Sequence, residues 1–219
     1  MSIAVAPPAV SADLRMLADS LRQLGDVPAE RVLLAPPPGT ASEEDLLQYR
    51  ERYGQLCELV DGVLVKKTTG WEESAVVIEL AYQLKRYLKR DPLGIVLGTD
   101  GPVRTLFPQV HMPHISFIHK RRISGKRTRS AVLPVAPDLA MEVLAPSKSP
   151  AEMERKLEEY FAAGVKLVWC IDPHARRAWI DRSPTDVREI GEEGYLAGEK
   201  ISPGFRLRLK QLLDDAPAG

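Results

Sequence analysis

A carboxylate set inside an otherwise apolar run is the feature that most constrains this chain. Residues 139–144 read Leu-Ala-Met-Glu-Val-Leu, apolar except for Glu142, and Ala-Pro-Ser closes the run. A short apolar run bounded by turn residues is the pattern of a central strand covered on both faces. An unpaired charge in such a strand costs several kcal/mol, so Glu142 requires a cation, a metal ion or a proton. The helix predicted next offers a partner. Met153, Leu157, Tyr160, Phe161 and Gly164 recur at i, i+4, i+7, i+8 and i+11 and form one core-facing stripe. Lys156 lies about 60° off that stripe, at a rotation of roughly 100° per residue, and leans from its rim toward the end of the strand. Glu152, Arg155, Glu158 and Glu159 are expected to face water. The residues alone leave two readings open for Glu142 and Lys156: members of a functional site, or a structural ion pair.

Elsewhere, strand and helix signals alternate. Residues 1–10 are rich in Pro and Ala, and 11–24 form a short helix with Leu14, Leu17, Leu21 and Leu24 on one stripe. A strand is expected at 31–34. Thr40 with Glu43 reads as a capping box for a helix over 41–52. Asp61-Gly62 suits a tight hairpin turn between two strands within 55–67. A long helix follows over 71–89; its stripe of Val77, Leu80, Ala81, Leu84 and Leu88, extended back four residues, reaches Glu73. The other reading of Glu73 is a first-turn acid favoured by the helix dipole. Further strands are expected at 94–97, 102–106, 115–118, 135–144, 167–171 and 178–181. The fold class is therefore mixed α/β (α+β), a mixed sheet flanked by helices. Residues 1–39 form an N-terminal extension and 40–215 one domain.

Composition narrows the compartment and the partners. With 44% hydrophobic and 27% charged residues, the chain has the make-up of an ordinary globular protein. No apolar run approaches a membrane span, and residues 1–10 lack a secretion signal, so a cytoplasmic protein without membrane contact is expected. Cys57 and Cys170 are expected as buried thiols, neither with a nearby cysteine to make a zinc pair. The formal charge is zero but uneven: residues 101–137 hold seven basic side chains and no acid, six of them Lys120, Arg121, Arg122, Lys126, Arg127 and Arg129. Such a run is either a solvated loop or a phosphate-contacting arm. His111, His114 and His119 raise a three-histidine zinc reading. Strand alternation argues against it, because it puts His111 and His114 on opposite faces.

Three stretches resemble the Uma2 family, restriction-endonuclease-like proteins of the PD-(D/E)XK nuclease superfamily. They are Pro137-Asp-Leu-Ala-Met-Glu142-Val-Leu-Ala-Pro-Ser147, then Glu154-Arg-Lys156-Leu-Glu-Glu-Tyr160-Phe-Ala-Ala-Gly164-Val, then Leu167-Val-Trp-Cys-Ile-Asp-Pro173. Cys57-Glu-Leu-Val-Asp-Gly-Val-Leu resembles the hairpin that opens the core of that family. The resemblance spans residues 32–213 and implies a metal-dependent endonuclease acting on DNA. Magnesium or manganese would be held by Glu142, with Glu73 at a helix position that is Glu or His in the family. Lys156 would assist the attacking water. Double-strand cleavage would favour a homodimer.

Two positions depart from the pattern. Leu144 stands where the superfamily often has its lysine, two residues after the glutamate. The family's metal-binding aspartate, in Pro-Asp-Val, is replaced by His114 in Met112-Pro-His-Ile115. Imidazole suits manganese, zinc, iron or nickel better than magnesium and removes a negative charge. The alternative is therefore a catalytically inactive nuclease-like domain that binds nucleic acid or protein.

Overall fold

The computed structural model describes residues 12–123, 130–146 and 148–216, with side chains from residue 18 onward. Its centre is a six-stranded sheet. The spatial order is β10 (Asp186–Gly191), β9 (Arg177–Ser183), β8 (Leu167–Asp172), β7 (Leu139–Val143), β6 (Ile115–His119) and β3 (Gly94–Leu97). Only β7 and β8 run parallel, and α5 (Pro150–Ala162) makes the crossover that a parallel pair needs. Ser149 caps α5, its hydroxyl accepting from the Glu152 amide at 2.9 Å, with Pro150 at the first helical position.

Alternation divides the central strand between two helical layers. Leu139, Met141 and Val143 pack with Val76, Val77, Leu80, Leu84 and Leu88 of α3 (Trp71–Arg90) and with α6 (Leu209–Asp215). Each of these aliphatic side chains contributes about 1.5–3 kcal/mol when fully buried. Ala140 points the other way, into a cluster with Met153 and Tyr160 of α5 and Val168 and Cys170 of β8. Glu142 shares that side.

A smaller sheet adjoins the first, in the order β2 (Val63–Lys66), β1 (Cys57–Val60), β5 (Val110–His111) and β4 (Val103–Arg104). Asp61 and Gly62 both have positive φ, 48° and 70°, as the expected two-residue hairpin requires. α2 (Glu43–Tyr53) packs on β1. α1 (Ala12–Gln23), α4 (Lys120–Ile123) and the pair β11 (Tyr195–Ala197) and β12 (Arg206–Arg208) complete the described elements. No helix among the described residues is long and apolar enough to cross a membrane.

Three local expectations are corrected. The capping box falls at Ser42 and Asp45 rather than Thr40 and Glu43: the Asp45 carboxylate accepts from the Ser42 amide at 2.8 Å. The strand expected at 31–34 is a turn of 3-10 helix, Ala29–Arg31, followed by a single bridge from Val32 to Val65. Glu152 and Glu159 do not face water; each is only 9% exposed. The reason lies in the extension, where Leu24, Val27 and Val32 pack on Val60, Val63 and Val65 beside α5. Arg31 there makes a two-pronged ion pair with Glu152, at 2.6 and 2.8 Å.

Candidate functional site

The chain crosses from the small sheet to the large one between β5 and β6, and the cluster around Glu142 forms at that crossing. Ile115 is paired with Met141, so one step outward His114 stands opposite Glu142. On the other side of the crossing, Leu59 pairs with Val110, which brings Glu58 under Met112. Across the gap, α5 lays Lys156 and Tyr160 over both acids.

Glu142 is fully buried, and both of its oxygens are occupied. Oε1 accepts from the Tyr160 hydroxyl at 2.7 Å and faces the Lys156 ammonium at 2.9 Å. Oε2 meets His114 Nδ1 at 2.7 Å and the Lys148 ammonium at 3.4 Å. An ionised carboxylate only accepts, so His114 Nδ1 carries the proton and donates. The Val143 amide also points at that nitrogen, from 3.3 Å, but the shorter carboxylate contact wins. Lys156 is shared: it donates to Glu58 at 2.9 and 3.1 Å. Glu58 in turn accepts from the Met112 amide at 2.7 Å. The cluster extends outward through His111, whose Nε2 lies 2.5 Å from Glu159 and whose Nδ1 is 3.7 Å from Glu58, too far for a hydrogen bond. Lys67 donates to the carbonyls of Met112 and Thr99.

The electrostatics follow from burial and from who sits next to whom. Burial alone would raise the carboxyls of Glu142 and Glu58, but Lys156, with Lys148 and His114 for the first and His111 for the second, holds both well below the usual carboxylate range. Burial would strip the proton from Lys156, and the two acids more than reverse this. Burial wins at His114, lowering it to about 4, so the imidazole is neutral at pH 7. It also lowers Lys67 to about 8. His111 is pushed up, because the Glu159 and Glu58 contacts outweigh its burial.

Of the residues expected in the site, Glu142, His114 and Lys156 come together. Glu73 does not join them by any described contact. It is the buried first-turn acid of α3, folded over Gly70 with His174 3.9 Å away. Among the described residues, no three His, Cys, Asp or Glu side chains converge as a metal ion would need, which also leaves the three-histidine zinc reading without support. Lys120, Arg121 and Arg122 form α4, at the far end of β6 from His114. Six steps of extended chain at roughly 3.3 Å each separate Lys120 from His114 by about 20 Å. Lys126, Arg127 and Arg129 lie outside the described residues. The sequence reading missed Glu58, Lys67, Lys148, Tyr160 and Glu159. Tyr160 sits on the same helix face one turn beyond Lys156, a spacing that signals its presence. Glu58 carried no such signal, because its role depends on the pairing of β1 with β5.

Comparison with known proteins supports this architecture. The Uma2 family, described as "Putative restriction endonuclease", matches residues 43–210. A solved structure from Anabaena variabilis ATCC 29413, described as "a putative nuclease belonging to DUF820", superposes with a TM-score of 0.69 at 17% identity. The alignment covers 80% of this chain and 99% of that one. At that identity the likeness is one of fold, a restriction-endonuclease-like mixed sheet flanked by helices. No curated protein matches the chain.

Proposed function

Because this chain belongs to the Uma2 family, we propose that it keeps the nuclease fold as a nucleic-acid-binding protein whose strand acid closes an ion-pair cluster instead of holding a divalent metal. The observation that carries this reading is the saturation of Glu142: two lysines, a tyrosine and a histidine occupy its two oxygens. Magnesium takes oxygen ligands and keeps several waters, whereas here the aspartate position is an imidazole whose proton is spent on Glu142. The charge balance also opposes a dication. Glu58 and Glu142 are outnumbered by Lys67, Lys148 and Lys156, and a dication about 4 Å from one ammonium is repelled by roughly 8 kcal/mol at an effective dielectric of about 20. The residues present therefore do not fit the expected magnesium or manganese.

Binding to DNA is supported by the opposite end of the sheet. Gly94 pairs with His119, so the basic end of α3, Lys89 and Arg90, lies beside α4 with Arg121 and Arg122. Such cations contact phosphates irrespective of sequence, and their binding weakens steeply with salt. From this end, about 20 Å along β6 from Glu142, they hold a duplex without presenting a phosphodiester to the cluster. One observation favours a second reading, metal-dependent cleavage: Glu142 and Lys156 stand 2.9 Å apart, an acid and a lysine of the kind a superfamily nuclease uses.

Plasmid relaxation with magnesium and with manganese separates the two, using wild type, Glu142→Gln and His114→Asp, alongside fluorescence anisotropy with a labelled duplex across a salt series. The expected result is salt-dependent binding without nicking, and weaker binding in Lys89→Ala/Arg121→Ala. Metal-dependent nicking by wild type that disappears in Glu142→Gln would overturn the proposal in favour of the hydrolase.

A further inference from the structure

The side of the sheet that carries Glu142 is covered by α5, and the coverage is incomplete. A helix is about 10 Å across, the width of two strands at roughly 4.8 Å each, so β9 and β10 emerge from beneath it. What remains between α5 and these strands is a cleft of about 950 Å³, in the size range of small-molecule sites, roughly 300–1,000 Å³. Met153, Leu157 and Phe161 of α5 face Trp179 of β9 and Val187 of β10 across it. Val187 is 49% exposed, an apolar side chain left without cover.

A polar group lies in the wall of this apolar cleft. Asp181 is 2% exposed, yet its Oδ2 has no hydrogen-bond partner. A buried carboxylate oxygen without a partner is rare in a folded protein, and its cost is removed when a donor arrives. The nearby Cys170 thiol is a weak donor; burial lifts Asp181 to about 6 in spite of it. Around the cleft, charge is one-sided. Glu154, Glu158 and Asp172 join Asp181, against Lys148, whose ammonium is drawn to Glu142 at 3.4 Å. His174 is turned toward Glu72, 3.5 Å away.

We propose that this cleft binds a small organic cation: a primary ammonium on an aromatic or alkyl body, with the ammonium at the Asp181 carboxylate and the body against Trp179, Leu157 and Phe161. The acidic rim repels phosphates, so the site is separate from the nucleic-acid surface at α4. The partly buried Trp179 gives the site an optical reporter.

Calorimetric titration of the full chain with phenethylammonium chloride, and with 2-phenylethanol as its uncharged counterpart, tests this in wild type and in Asp181→Asn. The amine should bind at least about tenfold more tightly than the alcohol to wild type, and Asp181→Asn should remove that preference. Trp179→Phe should weaken amine and alcohol alike and abolish the accompanying fluorescence change. The comparison of the two ligands on wild type stands even if Asp181→Asn fails to fold. Equal affinity for amine and alcohol, undiminished amine binding by folded Asp181→Asn, or no heat with the amine into the millimolar range would each overturn the assignment.

Discussion

Replacing Lys156 by methionine tests the cluster most directly. The ammonium lies 2.9 Å from Glu142 Oε1 and 2.9 and 3.1 Å from the two oxygens of Glu58, all in the interior. Removing one partner of a buried ion pair costs about 3–5 kcal/mol, because the remaining charge is stranded. Here two acids lose it. Glu142 retains Tyr160, His114 and Lys148, and Glu58 retains the Met112 amide, so about 4 kcal/mol is expected. That is a large part of the roughly 5–15 kcal/mol typical of a whole domain. In urea, with a slope of about 2 kcal/mol per molar, the midpoint should fall by about 2 M. The loss should depend on pH, with a definite sign. In wild type both carboxyls are held below their ordinary value of 4.5. Their contribution is full above that value and is lost as pH falls through the folded values. In Lys156→Met, burial prevails and raises both carboxyls, so the variant regains stability as acidification supplies protons. The gap between the two proteins should be widest at pH 7 and narrow toward pH 5, and Lys156→Met/Glu58→Gln should recover part of it. A loss below about 1 kcal/mol, or a gap that is the same at pH 7 and 5, would refute the reasoning.

Other consequences are equally open to measurement. His114, lowered to about 4 by burial, excludes a proton that the unfolded chain takes up near 6.5. Its contribution of up to about 3 kcal/mol is complete above pH 6.5 and lost between there and pH 4; the His114 ring resonances should not titrate between pH 7 and 5, and His114→Asn should flatten that limb of the stability profile. Arg31→Met strands Glu152 in the interior and should cost about 3 kcal/mol by chemical denaturation. At Gly62, φ is +70° and an added Cβ would stand 2.6 Å from the Gly39 backbone; Gly62→Ala should cost about 2 kcal/mol and lower the melting temperature by about 4–8 °C.

The elements that the sequence made legible were those whose signal is local. The hairpin at Asp61-Gly62, the strand at Gly94–Leu97 and the long helix at Trp71–Arg90 were readable from a turn dipeptide, a short apolar run and a 3.6-residue period. So was the need of Glu142 for a cation, since an acid in an apolar strand states its own requirement. Less legible was anything decided by what packs on top. Glu152 and Glu159 looked solvent-facing because the helix was read without the extension that lies against it. Glu73 lay on the extended apolar stripe, yet it serves the start of its own helix. The basic run looked adjacent to His114 because five residues is a short interval in text, although a strand stretches that interval across the sheet.

The two-pronged bond between Arg31 and Glu152 separates the unit of ancestry from the unit of folding. The stretch shared with relatives begins at residue 43, but the helix that carries Lys156 and Tyr160 has its salt-bridge partner twelve positions earlier. A fragment trimmed to the shared boundaries would bare Val60, Val63 and Val65 and orphan an interior acid. Anyone expressing the protein should therefore place the first cut, tag or fusion joint upstream of Leu24.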